Sequence, residues 1–164
     1  MKRKRVEPGP GQESVWDYPR PPRIEDTSKQ IRVIFNNVCV AHSICAIRVL
    51  ETSHPPVYYI PPQDVAHEDL RQTERTSFCE WKGQATYFTV EVDERFAENA
   101  AWCYRHPSPD FEAVKNHVAF YPSKMDACYV GDEMVSAQPG DFYGGWITKD
   151  IVGPFKGAPG TGFW

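Results

Sequence analysis

The fold class is decided by the stretch Ile31-Arg32-Val33-Ile34-Phe35-Asn36-Asn37-Val38-Cys39-Val40. Both ends of this stretch are short apolar runs in which β-branched residues predominate, a composition that favours extended strands. Asn36 and Asn37 lie between the runs and tolerate the positive φ angles that a two-residue hairpin turn requires. The stretch therefore predicts a β-hairpin.

Similar extended segments recur along the chain, separated by prolines and glycines. Pro55-Pro56 and Pro61-Pro62 bracket one segment, and Gly131-Asp132 is a second hairpin signal. The segments are 44–49, 57–60, 85–90, 101–105, 117–121 and 127–135. Residues 64–71 and 110–116 suggest one or two helical turns each, the second with Asp110 at its N-cap. Together these patterns predict a mostly β fold of two antiparallel sheets with one or two short helices.

Composition divides the chain into three parts. Residues 1–30 hold a basic start and a Pro/Gly-rich N-terminal arm, and residues 31–140 hold the predicted strands. Residues 141–164 interleave glycines with large aromatic residues, which indicates a C-terminal arm that docks through its side chains. The anchors of this arm are Trp146, Phe155 and Trp164. They should pack on the β body or on a second copy of the chain, so a homodimer formed through the arms stays open.

The charge distribution restricts the possible partners. Residues 31–164 carry 11 Lys and Arg against 17 Asp and Glu, a net charge of −6. Nucleic-acid affinity comes largely from cations that neutralise phosphates, so this body argues against a nucleic-acid partner. The basic run Lys2-Arg3-Lys4-Arg5 is interpreted as a solvated start. No apolar run approaches the roughly 20 residues that cross a bilayer, so we expect a cytoplasmic protein without a membrane partner.

The cysteines are odd in number and widely spaced. They are Cys39, Cys45, Cys79, Cys103 and Cys128. An odd count without a secretory signal suggests reduced thiols, not a disulfide framework. Structural zinc sites usually take closely spaced ligand pairs such as C-x-x-C, and no such pair occurs here. We therefore expect no structural zinc and no other metal site, while the identity of any cofactor stays open.

Six segments of the sequence together resemble one known family. They are Val40-Ala41-His42-Ser43, Val49-Leu50-Glu51-Thr52-Ser53-His54-Pro55-Pro56-Val57-Tyr58-Tyr59-Ile60-Pro61-Pro62, Phe78-Cys79-Glu80-Trp81-Lys82-Gly83-Gln84-Ala85, Ala101-Trp102-Cys103-Tyr104, Val118-Ala119-Phe120-Tyr121-Pro122 and Tyr143-Gly144-Gly145-Trp146-Ile147-Thr148. Ordered strings of this length are far more specific than a lone glycine motif. The chain resembles the domain-of-unknown-function 427 family over nearly all of residues 14–164.

This resemblance implies a fold but little chemistry. It implies a compact β-tent of antiparallel strands, in which many related proteins bind zinc through C-x-x-C pairs that this sequence lacks. The family is sometimes labelled nucleotidyltransferase-like. Such enzymes usually need a Gly-Ser pair followed by spaced carboxylates that hold two Mg²⁺ ions, and no such set is present. His42 stands where related sequences often have Asp, so a role that needs a carboxylate there is in doubt.

Glu51, Cys79 and Lys82 are the candidates for catalysis. A Lys82 ammonium near Cys79 would favour the thiolate, the nucleophilic form, although strand alternation past Cys79 would put the two side chains on opposite faces. Glu51 and His54 lie at one predicted strand end, which suits a general base or a ligand contact. The competing interpretations are a buried core thiol, a rim salt bridge for Glu51 and a turn-capping or solvent-facing His54. Arg48 is predicted to pair with Glu51 or to contact an anion.

An aromatic cleft between the sheets would suit a small planar or anionic ligand. The residues predicted to bind it are Arg48, Glu51, Tyr59, Lys82, Tyr87, Trp102 and Tyr121. The competing interpretation is that these aromatic residues form a solid core.

The leading hypothesis is thus a small-ligand-binding β-tent domain, with catalysis left open. One alternative is a non-catalytic protein-interaction or dimerisation module that acts through the terminal arms. A second is a thiol-based redox enzyme in which Cys103 or Cys128 resolves an oxidised Cys79.

Overall fold

A computed structural model describes residues 4–140 and 142–164. It shows a mostly β protein, which confirms the predicted fold class. Within these residues the strands are β1 (Glu13–Ser14), β2 (Arg23–Asp26), β3 (Ile31–Phe35), β4 (Val38–Ser43), β5 (Ile47–Leu50), β6 (Val57–Tyr59), β7 (Leu70–Cys79), β8 (Gly83–Val92), β9 (Arg95–Tyr104), β10 (Val118–Phe120), β11 (Ala127–Val130), β12 (Glu133–Met134), β13 (Ser136–Ala137), β14 (Trp146–Ile147) and β15 (Ile151–Val152).

Helical structure in the described part of the chain consists of short 3₁₀ segments. They are Val15–Asp17, Pro62–Asp64, His67–Asp69, Pro109–Val114 and Pro122–Lys124. Within the predicted 64–71 the structure has one 3₁₀ turn, His67–Asp69, but the helix does not extend to residue 71, because Leu70 already begins β7, where it pairs with Val90 of β8. The second predicted helix is a 3₁₀ segment whose N-cap is Ser108, not Asp110. None of these helices is long and apolar enough to cross a membrane.

The predicted hairpin at the start of the chain is confirmed. Asn36 and Asn37 take φ angles of 50° and 64° between β3 and β4, as the turn requires. The hairpin at Gly131 is also confirmed, and the two hairpins join in one antiparallel sheet of order β12-β11-β3-β4. A second sheet has the order β10-β9-β8-β7, and a third has the order β2-β5-β6.

Two further two-stranded sheets complete the described architecture, so the strands divide among five sheets where the sequence suggested two. One of these pairs, β13 with β14, is antiparallel, whereas β1 and β15 are parallel. The parallel pair joins residues from the two ends of the chain.

Alternation along the strands separates two apolar clusters. Successive side chains on a strand point to opposite faces. Tyr58 therefore enters one cluster and Tyr59 the other, and Cys103 and Trp102 on β9 divide in the same way. We call the first cluster the main core. We call the second the aromatic core, whose largest members are Tyr59, Tyr87, Trp102, Tyr104, Phe111 and Tyr121.

The two ends of the described chain pack on this body. Trp146 is fully buried in the main core. The ring of Trp16 meets the ring of Trp164 with centroids 5.5 Å apart. The three-part division at 1–30, 31–140 and 141–164 stays a prediction. Lys2 and Arg3 of the basic run lie outside the described residues, while Arg5 forms an ion pair with Asp17 at 2.6 Å.

Candidate ligand-binding site

A cavity of about 430 Å³ opens beside the aromatic core. This volume lies within the range of small-molecule sites, roughly 300–1,000 Å³. Seven of the eight predicted site residues line it, and they are Glu51, Tyr59, Cys79, Lys82, Tyr87, Trp102 and Tyr121. The eighth, Arg48, does not. The fold therefore brings together side chains from several strands that are far apart in sequence, although their role in binding stays a prediction.

Trp102 forms the centre of the aromatic wall. Its ring lies 4.6 Å, centroid to centroid, from that of Tyr121, and its indole N–H donates to the Tyr59 hydroxyl at 3.4 Å. The Tyr121 hydroxyl donates to the carbonyl of Phe142 at 2.9 Å. The Tyr87 hydroxyl is hydrogen-bonded to the Ser77 hydroxyl at 2.9 Å. These bonds fix the orientation of the rings, so the wall is preorganised.

Lys82 supplies a buried cation to the cavity. Its side chain leaves the turn between β7 and β8, where its carbonyl accepts a hydrogen bond from the Ser108 N–H at 3.0 Å. Its Nζ atom lies 5.8 Å from the centroid of the Tyr104 ring and 5.9 Å from that of Phe111. Burial lowers the pKa of this ammonium, but Tyr59, Cys79 and Glu51 together raise it by more, so its net shift is upward. Lys82 is therefore charged at neutral pH.

Cys79 and Lys82 share the cavity because the strand stops between them. β7 ends at Cys79 and β8 begins at Gly83, so the alternation that would have separated the two side chains is interrupted by a turn. Gly83 takes a φ of +109° in this turn, a region that L-residues rarely adopt. The sequence did not determine whether the Cys79 and Lys82 side chains lie on the same face. The turn brings both to the same cavity.

The resolving thiols proposed for a redox enzyme lie elsewhere. Cys103 pairs with Thr86, which in turn pairs with Thr76. Cys79 is thus two strands away from Cys103 and three residues further along β7, which is well beyond the roughly 7 Å limit between the Cα atoms of a disulfide. Cys103 and Cys128 are buried in the main core, and burial raises the pKa of both thiols. The geometry does not favour the redox alternative.

Glu51 and His54 meet at the cavity, but Arg48 does not join them. Glu51 Oε2 lies 3.2 Å from the Nε of Arg20 and 3.5 Å from the Nε2 of His54. The predicted pairing of Glu51 with Arg48 is wrong. β5 ends at Leu50, so Glu51 lies just past the strand that holds Arg48, and its side chain contacts Arg20 and His54 instead.

Arg48 instead anchors the N-terminal part of the chain. Its guanidinium is largely buried and pairs with Glu25 at 2.6 Å and with Glu13 at 3.2 Å. Glu25 lies opposite Arg48 in the β2–β5 register. These carboxylates satisfy the guanidinium, so Arg48 has a structural role and makes no contact with the cavity.

Gln138 determines which ring nitrogen of the neutral His54 imidazole carries the proton. The Gly145 N–H donates to Gln138 Oε1 at 3.0 Å, which leaves Gln138 Nε2 as the donor to His54 Nδ1, also at 3.0 Å. The proton of the neutral imidazole therefore lies on Nε2 and points toward Glu51. Burial, followed by the charges of Lys156, Arg20 and Lys82, lowers the pKa of His54 to about 3. The predicted solvent-facing His54 is wrong, since only 7% of it is exposed.

The C-terminal part of the chain closes one side of the cavity, which the sequence had not suggested. Its contributions are Gln138, Phe142, Tyr143, Gly144 and Lys156. The available signal was the Gly144-Gly145 pair, because adjacent glycines often mark a close approach of the backbone. A Cβ atom on Gly144 would lie 2.3 Å from Cη2 of Trp102, and one on Gly145 would lie 2.5 Å from Cγ of Pro55. The segment fits only because both residues lack side chains.

Replacing Gly144 with alanine should therefore strain the cavity wall. We expect the free energy of unfolding to fall by about 1–3 kcal/mol, because the Trp102 ring must move to admit the methyl group. Gly162→Ala is the matched control, since a Cβ atom there meets nothing within 4 Å. Urea unfolding of both variants makes the comparison. Equal stability of the two variants would show that the backbone does not approach Trp102 as closely as described.

Within residues 4–140 and 142–164, no three His, Cys, Asp or Glu side chains converge in a way that could hold a metal ion. The five cysteines are free thiols. The expectation about structural zinc stays a prediction.

The fold and the cavity define a class: a small, mostly β protein with an aromatic hollow that contains a buried cation. The family described as "Domain of unknown function (DUF427)" matches residues 23–131, so the chain belongs to that family. No curated protein matches the chain. The family match covers Glu51, Cys79 and Lys82 but ends before Gln138 and Lys156, which line the same cavity.

Proposed function

We propose that the protein binds a small organic molecule with a planar ring in this cavity. The observation that carries the proposal is the cavity of about 430 Å³ beside Trp102, with the buried Lys82 ammonium at its side. Aromatic walls offer a large, rigid contact area, and a few polar groups among them orient a ligand. A solid aromatic core, the competing interpretation, would leave no such space.

The proposal covers binding alone. The expectation of no nucleic-acid partner is carried forward with it as a proposal, supported by the net charge of −6 over residues 31–164. The expectations of a cytoplasmic location and of no membrane partner are carried forward as proposals from the sequence alone. The β-tent architecture is proposed on the family resemblance, and the mostly β fold is consistent with it.

A thermal-shift screen with small planar molecules, charged and uncharged, tests the proposal. A ligand present at 100 times its Kd stabilises the folded state by about 2.7 kcal/mol, which corresponds to a rise of roughly 5–10 °C in Tm for a chain of this size. We expect at least one compound in the screen to give a rise of this kind. If no planar compound raises Tm, the proposed function is wrong.

Two matched variants locate the binding. Tyr121→Leu removes part of the cavity wall, whereas Tyr129→Leu makes the same change on β11, away from the cavity. The rise in Tm should be reduced in the first variant and kept in the second, each measured against its own ligand-free protein. An equal reduction in both variants would place the ligand elsewhere.

A further inference from the structure

Lys82 is a buried cation whose charge Glu51 and Cys79 stabilise without a direct ion pair. Only 8% of the residue is exposed. In the part of the chain that the structure describes, Glu51 forms an ion pair with Arg20 and lies 3.5 Å from the neutral His54, and no carboxylate forms an ion pair with Lys82. An ammonium removed from water is costly when no counter-ion is in direct contact with it. A buried cation at the edge of a cavity, with no carboxylate at ion-pair distance, indicates a site for an anion.

A second cation strengthens the positive potential of the cavity. Lys156 lines it from the C-terminal side, with its Nζ atom 5.4 Å from the centroid of the Tyr143 ring. The charges of both lysines and of Arg20 reach His54 and help to keep that imidazole neutral, although Glu51 lies beside it. Glu51 and Glu80 also line the cavity, so the formal charges of its lining balance. The two lysines are therefore suited to local contacts with a bound group and not to a general attraction of polyanions.

The balance of charge favours a monoanion over a dianion. Lys82 contributes one fully buried charge, whereas Lys156 is half-buried and already contacts the Trp164 carbonyl at 3.5 Å. Glu51 and Glu80 are also on the cavity wall and would repel a second negative charge. A carboxylate matches one buried ammonium, while a phosphate monoester, with a charge near −2 at pH 7, would leave charge uncompensated.

The neighbouring groups suit the rest of such a ligand. The Tyr59 hydroxyl accepts hydrogen bonds from the Trp102 indole and from the Tyr104 hydroxyl, and its own O–H can donate to a ligand. Tyr59 and Lys82 line the same cavity, and Lys82 lies over the ring of Tyr104, the residue whose hydroxyl is bonded to that of Tyr59, so the cavity offers two donors on one side. The Trp102 and Tyr121 rings extend from there as a surface on which a planar ring can stack.

From this arrangement, and resting on the proposed function, we infer that the ligand is an aromatic carboxylate. Its carboxylate binds at the Lys82 ammonium and the Tyr59 hydroxyl, and its ring lies against Trp102 and Tyr121. The inference excludes phosphate esters, including nucleotides, as the preferred class.

Titration calorimetry with matched pairs of compounds tests this inference. The probes are benzoate, 2-naphthoate and indole-3-carboxylate, each beside its neutral carboxamide, with phenyl phosphate as the dianion. We expect at least one carboxylate to bind at least about tenfold more tightly than its amide, because a hydrogen bond between two ionised groups is roughly twice as strong as one between neutral groups. That carboxylate should also bind more tightly than phenyl phosphate.

Two lysine variants complete the experiment. Lys82→Met should remove the preference for the carboxylate over the amide while the amide still binds. Lys115→Met, the same change at an exposed lysine outside the cavity, should keep the preference. Circular dichroism verifies that both variants are folded, and Lys82→Arg, which keeps the charge, should retain part of the preference.

The outcomes separate the inference from the proposed function. If amides bind as well as carboxylates, or if phenyl phosphate binds best, the inference fails while the cavity remains a binding site. If no carboxylate binds but uncharged planar compounds raise Tm, only the inference fails. If neither kind of compound binds, both fail.

Discussion

Replacing Trp146 with alanine is expected to lower the free energy of unfolding by about 3–5 kcal/mol, the usual loss for a buried tryptophan. The side chain is 0% exposed and its ring lies 5.0 Å from that of Tyr58, centroid to centroid. Its indole N–H donates to the Phe120 carbonyl at 3.1 Å, so the alanine variant also leaves a buried acceptor unpaired. Urea unfolding at 25 °C measures the loss.

Trp164→Ala is the control for this prediction. Trp164 also lies in the C-terminal part of the chain, but it is only partly buried and its ring contact is with Trp16. We expect a loss of about 1 kcal/mol, close to the contribution of one aromatic pair. Trp146→Phe should fall between the two, since it keeps a ring and loses the hydrogen bond. If Trp146→Ala cost no more than Trp164→Ala, residue 146 would not be part of the main core.

The second large effect is a pH dependence caused by His54. The pKa of its imidazole is lowered from 6.5 to about 3 in the folded protein by burial and by the charges of Lys156, Arg20 and Lys82. Below pH 6.5, His54 of the unfolded chain therefore binds a proton. His54 of the folded chain does not bind one until the pH has fallen to about 3. The stability due to neutral His54 is complete above pH 6.5 and is lost as the pH falls toward 3.

Between pH 7 and pH 4 this single group should cost the wild-type protein about 3 kcal/mol of its free energy of unfolding. Carboxylates also titrate in this range, so the measurement is a comparison with His54→Gln, which lacks the imidazole. The stability advantage of the wild type over His54→Gln should shrink by that amount as the pH falls.

His117→Gln provides the matched control, because His117 is more exposed and its ring contacts only the nearby Lys115 carbonyl. The change of stability with pH should be clearly larger for His54→Gln than for this variant. If the two variants show the same dependence on pH, His54 is not held neutral in the folded protein and the hydrogen bond from Gln138 does not define its tautomer.

Much of the strand content could be read from the residues. Asn36-Asn37 predicted the first hairpin because few residue pairs accept two positive φ angles, and Gly131 predicted the second for a related reason. The segments around Tyr59, Trp102 and Tyr121 were also recognisable as strands, since β-branched and aromatic residues fit a pleated, half-buried surface. These signals depend only on adjacent residues, so a single sequence is enough to recognise them.

β7 was not predicted, because its residues carry no such local signal. Its ten residues include Arg71, Glu74 and Arg75, and most of them are exposed, so they lack the apolar alternation that marks a strand. Pairing with β8 supplies the hydrogen bonds that hold this segment extended. A strand that depends on its neighbour for structure leaves little trace in its own composition.

The cavity, like the strands, was only partly predictable from the sequence. Residues such as Tyr59 and Trp102 were expected at a site because of their chemistry, yet nothing in the sequence showed that Arg48 would turn away toward Glu13 and Glu25. Nor did it show that Gln138 would orient His54 from 84 positions along the chain. Partnerships of this kind are set by the path of the chain in space.

The sequence by itself determined the class of fold, the positions of its tight turns and the side chains available for a site, because these depend on the conformational preferences of neighbouring residues. Only the tertiary structure decided which side chains meet. Packing of the C-terminal segment against Trp102 encloses the hollow, and it leaves Lys82 charged without a described carboxylate partner. That juxtaposition arises from contacts between distant parts of the chain, which no local pattern encodes.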